Sequence, residues 1–110
     1  MRPRGLQVAT ACAAAAAAVV ASQPGWAETI KIEIAKLAFS PAQVSAHVGD
    51  TIEWTNEDVL VHTATGRNHE WDVTIPAKGA GRTVLTKPGK IDYFCRFHPN
   101  MKGEITIEGK

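Results

Sequence analysis

Cysteine is scarce in this chain of 110 residues: there are two, Cys12 and Cys95. Cys12 lies within an alanine-rich N-terminal stretch. Its preceding Ala9-Thr10-Ala11 lacks the leucine of a lipid-attachment site, and most of the apolar run follows it. Downstream of that stretch a single thiol remains, so no internal disulfide can form there. In an oxidising compartment such a thiol is either a liability or a ligand. Methionine is equally sparse, with Met1 and Met101 alone. Charge of one sign is also missing: 12 basic residues face 11 acidic ones, with no basic block. That balance argues against nucleic acid or an anionic membrane as partner. No apolar run reaches the roughly 18 residues that a bilayer span requires. No stretch holds a sustained helical period, which excludes an α-helical domain.

What the N-terminus does have is the order of an export signal. Arg2 and Arg4 give a positive start, and an apolar run follows from about Val8 to Ala21. Ser22-Gln23-Pro24 breaks it, and Gly25-Trp26-Ala27 offers a small-residue cleavage site. We therefore expect a signal peptide over 1–27 and a single mature domain over 28–110. The two arginines are not adjacent, so a twin-arginine route is not indicated. Loss of Arg2 and Arg4 leaves ten basic residues against eleven acidic ones.

The rest of the chain alternates. Ile30, Ile32 and Ile34 share one face, as do Val44, Ala46 and Val48, then Ile52 and Trp54. Trp71, Val73 and Ile75 repeat the pattern, followed by Ile91, Tyr93 and Cys95, and by Ile105 and Ile107. A period of two with one apolar face predicts half-buried strands. Pro41, Gly49, Gly66, Pro76, Gly79, Pro88-Gly89 and Gly103 separate them. The fold class is all-β, a small antiparallel sandwich or barrel. Trp54 and Trp71 are expected in its core, with His47 and His69 in solvent.

One segment carries chemistry: Cys95-Arg96-Phe97-His98-Pro99-Asn100-Met101, between two predicted strands. A thiolate, an imidazole and a thioether at three-residue intervals can turn towards one point. His62, after the strand that holds Trp54, supplies a fourth donor. One thiolate, two imidazoles and a weak axial thioether form the donor set of a blue-copper electron-transfer site. Structural zinc commonly takes two or more cysteines, and a two-copper centre needs a second bridging cysteine. A copper store would carry several exposed methionines. A copper enzyme would need further histidines, and His47 and His69 lie far apart in the pattern. The expectation is one Cu held by His62, Cys95, His98 and Met101, with no catalysis.

Cys-x-x-His-x-x-Met before a terminal strand resembles the cupredoxins, and the short loop with Pro99 after the histidine resembles their amicyanin branch. Phe39-Ser40-Pro41, Val48-Gly49-Asp50-Thr51-Ile52-Glu53-Trp54-Thr55-Asn56 and Val61-His62-Thr63 follow the same pattern. The resemblance implies a Greek-key β-sandwich of about eight strands, a monomer in the periplasm, and one-electron transfer between redox proteins. The implied partners are a donor dehydrogenase, a c-type cytochrome or both. It also implies that Asn56 braces the ligand loops. Two departures stand out: Val61 precedes the first histidine, and Phe97 stands two residues after the cysteine, where amicyanin-like loops carry proline at both places. Phe97 restores a main-chain N–H that proline lacks. We read it as a second donor to the sulfur, beside one from the Thr63 region.

Overall fold

The computed structural model describes residues 26–109. The expected leader therefore falls almost wholly outside the described residues. Nine strands form: β1 (Thr29–Ala35), β2 (Ala38–Ser40), β3 (Gln43–His47), β4 (Thr51–Asn56), β5 (His62–Gly66), β6 (Asp72–Ile75), β7 (Ala80–Val84), β8 (Gly89–Cys95) and β9 (His98–Glu108). They build a four-stranded sheet, β2-β1-β4-β7, and a five-stranded sheet, β3-β9-β8-β5-β6. Among the described residues no helix is long and apolar enough to cross a membrane.

The all-β sandwich is as expected, with two refinements. The sheets are mixed, because β1 runs parallel to β4 and β3 parallel to β9. Alternation is the same in either orientation, so it could not reveal this. The ninth strand is the three-residue β2, folded back on β1 with Ala35 opposite Ala38. Its two-residue turn is Lys36-Leu37, both at positive φ (54° and 61°). Positive φ at both central positions matches the strand twist in a tight hairpin. Neither residue favours it, and the Asp58 carboxylate compensates by accepting both N–H groups, at 2.8 and 3.0 Å.

The alternating isoleucines meet between the sheets as predicted: Ile32, Ile34, Ile52, Ile75 and Ile105 are all buried. At the centre stand Trp54 and Tyr93, ring centroids 5.6 Å apart and edge to face. Trp54 Nε1–H donates to Tyr93 Oη at 3.2 Å. That single bond does not offset burial, which pushes the Tyr93 hydroxyl up to about 12. Trp71 packs against both rings, and Phe39 meets Tyr93 edge-on at 4.7 Å. Tyr93 has room because its ladder partner on β9 is Gly103. His47 and His69 are exposed, as read from sequence.

Candidate metal centre

The segment from Cys95 to Met101 is the tip of the β8–β9 hairpin. Cys95 ends β8, Arg96 and Phe97 make the turn, and His98 opens β9 opposite Cys95. A register shift follows at Phe94/Cys95. His62 is the first residue of β5, whose later residues Thr65 and Gly66 pair with Phe94 and Tyr93 of β8. Two adjacent strand ends thus bring the distant histidine beside the hairpin tip. Cys95 and His62 are fully buried, Met101 is buried, and His98 is half-buried.

The donor atoms converge. His62 Nδ1 and His98 Nδ1 each lie 3.7 Å from Cys95 Sγ. All three ligand atoms fall within 4.8 Å of one another. Bonds of about 2.3 Å to sulfur and about 2.05 Å to nitrogen, as at zinc, would subtend about 115° across such a gap. That angle lies between tetrahedral and trigonal, so this donor set fits a small thiophilic ion. Met101, buried three residues along β9 from His98, is a further soft donor on the same strand.

The rings are held from behind. His62 Nε2 lies 2.9 Å from Asp58 Oδ2. A carboxylate only accepts, so the proton sits on Nε2 and the Nδ1 lone pair faces the sulfur. This is the carboxylate–histidine arrangement that orients a metal-binding imidazole. The Leu37 N–H first, then the His62 ring and the Lys36 N–H, hold the Asp58 carboxyl below its ordinary 3.8. Sequence reasoning missed Asp58; its place four residues before His62 was the available signal.

Asn56 takes the role the resemblance implied. Buried at the end of β4, it donates from Nδ2 to the carbonyls of Leu60 and Pro76, at 2.8 and 3.1 Å. Its Oδ1 accepts the Asp58 N–H at 2.8 Å. Asn56→Ala would strand these groups, and each unsatisfied one costs about 1–3 kcal/mol. We expect a loss of about 2 kcal/mol, read from the urea midpoint, with faster amide exchange at Asp58. An unchanged midpoint would contradict the bracing role.

On the sulfur, one expectation holds and one does not. Thr63 N–H approaches Cys95 Sγ at 3.4 Å. Among the described residues it is the one main-chain donor so placed; the Phe97 N–H is not bonded there. The Phe97 ring is instead half exposed, and Val59, Leu60 and Val61 on the chain leading into His62 are exposed as well.

The same features recur in known proteins. A cupredoxin-like domain model matches residues 7–107. Amicyanin-alpha of Methylorubrum extorquens is 36% identical over 102 residues, covering 87% of this chain and 86% of that protein. Amicyanin of Paracoccus denitrificans is 31% identical over 85 residues, covering 72% and 65%. A reduced amicyanin with one proline replaced by phenylalanine superposes with a TM-score of 0.64 at 29% identity, covering 73% of this chain and 82% of that one. A reduced Cu(I) form of another amicyanin mutant, at pH 4, also gives 0.64, at 28% identity and the same coverage. With its His/Cys/His/Met cluster on this sandwich, the chain belongs to the cupredoxin-like family, as a type 1 copper electron carrier and not an enzyme.

Proposed function

We propose that His62, Cys95, His98 and Met101 are the copper ligands, and that this chain passes single electrons between redox proteins in the periplasm. The observation that carries the assignment is the convergence of His62 Nδ1 and His98 Nδ1 on Cys95 Sγ, 3.7 Å from each. Copper, when bound, supplies a one-electron Cu(II)/Cu(I) couple. The chain's own residues do the rest. Asp58 keeps the His62 proton on Nε2, so that Nδ1 is free to coordinate. Cys95 offers the thiolate, and the Thr63 N–H draws electron density from it. Met101 would offer a weak thioether donor, suited to both oxidation states. Burial fixes His62, Cys95 and Met101, so little rearrangement of these three would accompany each electron.

His98 is the ligand nearest solvent, flanked by Phe97 and Pro99. This apolar rim is the port through which an electron enters and leaves a docked partner. By analogy with amicyanins, the donor is a dehydrogenase, the acceptor a c-type cytochrome, and the carrier a monomer. The test is direct: copper-loaded protein should show an intense visible thiolate-to-copper band that bleaches and returns on one-electron reduction and reoxidation. A loaded protein without that band would sink the proposal.

Export is the reading that the N-terminal pattern supports. The mature protein should begin within a residue or two of Glu28, as seen by intact-mass spectrometry of periplasmic material. Recovery of residues 1–27 still attached would refute it.

A further inference from the structure

Behind the thiolate lies a second set of polar side chains. Thr63 and Thr65, alternate residues on β5, are buried, and their Oγ1 atoms are 3.0 Å apart. Thr65 Oγ1–H donates to Asp72 Oδ1 at 2.7 Å, across the β5–β6 pair. The Arg96 main-chain N–H donates to Thr63 Oγ1 at 2.8 Å, and Arg96 Nε–H returns to the same Asp72 Oδ1 at 3.2 Å.

Counting protons fixes the direction of every bond. A hydroxyl has one proton to give. Thr65 spends its own on Asp72, whose carboxyl is held below its ordinary 3.8 by Thr65 first and then by Arg96. Thr63 must therefore donate to Thr65, which leaves a Thr63 lone pair for the Arg96 N–H. The bonds close a ring from the Arg96 main chain through Thr63 and Thr65 to Asp72, and back to the Arg96 side chain. Bonds aligned head to tail polarise one another. The Arg96–Asp72 ion pair is about half exposed, so it adds little. The hold comes from the buried hydroxyls.

We propose that Thr65 and Asp72 are positioning residues for Cys95: their ring fixes the Thr63 main chain on one side of the sulfur and the Arg96 main chain on the other. This rests on Cys95 being a copper ligand. Asp72 is the terminal acceptor that orients the chain of hydroxyls, and Thr65 transmits that orientation. The quantity they set is the strength of the Thr63 N–H bond to the sulfur. A firmer bond withdraws density from the thiolate and favours Cu(I).

The test compares Thr65→Val, which removes the hydroxyl at nearly constant volume, with Thr65→Ser, which restores it; neither changes charge. In the copper-free protein, amide exchange at Arg96 should be about fivefold faster in Thr65→Val, the worth of one modest bond, and near native in Thr65→Ser. In the copper-loaded protein, Thr65→Val should lower the reduction potential by the same factor, about 40 mV at about 59 mV per decade. Thr65→Ser should return it. If Val matches the native protein in both measurements, or Ser fails to restore them, the ring does not position Cys95. Should Thr65→Val not fold, Asp72→Ala against Asp72→Asn answers the same question in copper-free protein. Asn keeps an acceptor, so equal Arg96 exchange in the two would also overturn the proposal. A native protein that takes up no copper would defeat the ligand reading alone, and the exchange measurements would still decide the ring.

Discussion

Copper-loaded Cys95→Ser protein should be colourless. The strong visible absorption of such a site is charge transfer from thiolate sulfur to Cu(II), and Cys95 is the one cysteine among the described residues. A serine hydroxyl stays protonated at neutral pH and cannot replace the thiolate. The fold should persist, because serine is nearly isosteric and still accepts the Thr63 N–H that now reaches Sγ at 3.4 Å. Burying the hydroxyl with that partner should cost only about 1–2 kcal/mol. Loss of colour with a retained unfolding transition is the expected pair of results. Cys12→Ser, in the expected leader, is the control and should leave the spectrum of the exported protein unchanged. An intensely coloured Cys95→Ser protein would show that the thiolate has been assigned wrongly.

The largest loss of stability should come from a methyl group. A Cβ on Gly103 would lie 2.4 Å from Tyr93 Cζ and 2.5 Å from its Cε1 and Oη. Carbon atoms pack at about 3.5–4.0 Å, so something must move. The Tyr93 ring cannot retreat easily: Trp54, Trp71 and Phe39 surround it, and its hydroxyl holds the Trp54 indole N–H. Overpacking a core typically costs 1–3 kcal/mol, and a rigid ring places this site near about 3. For a domain of this size each kcal/mol shifts Tm by about 4–8 °C, so Gly103→Ala should lower it by more than about 10 °C. A smaller second substitution separates clash from backbone effects. Gly103→Ala combined with Tyr93→Phe loses the hydroxyl that crowds Cβ and should recover part of the deficit. If Gly103→Ala melts within a degree or two of the native protein, the close approach of β9 to Tyr93 is wrong.

The residues proposed as ligands were the legible part. His62, Cys95, His98 and Met101 announced themselves because their side chains have few other reasons to share a seven-residue hairpin tip and a distant partner. Strands with one wet face were legible too: Ile30, Ile32 and Ile34 alternate because β1 does. What escaped has a common cause. All five residues of β5 are buried, so His62-Thr63-Ala64-Thr65-Gly66 has no alternation to read. The turn at Lys36-Leu37 carries none of the glycine or asparagine that marks a tight hairpin, since a carboxylate twenty-one residues from Leu37 stabilises it instead. Asp72 and the threonines behind the sulfur were unreadable because their role depends on which strands lie side by side, whereas Asp58 was missed although it stands only four residues before His62. The Phe97 N–H was inferred from phenylalanine standing where amicyanin-like loops carry proline, yet the hairpin geometry gives the sulfur to Thr63.

The parallel pairing of β3 with β9 has a kinetic consequence. Residue 43 lies opposite residue 104, and residue 47 opposite residue 108. Such pairing closes most of the domain into one loop, and non-local contacts of this kind place folding in the millisecond-to-second range rather than the microsecond range. Three of the four proposed metal donors, Cys95, His98 and Met101, stand on the local hairpin of β8 with that last strand, and His62 opens β5. A chain whose β8–β9 hairpin has not yet docked beside β5 lacks the His62 imidazole, one of the four proposed donors. On that ligand assignment metal capture would be coupled to the fold: copper would favour chains whose hairpin has docked beside β5. At a hundred times its dissociation constant, copper would then stabilise those chains by about 2.7 kcal/mol.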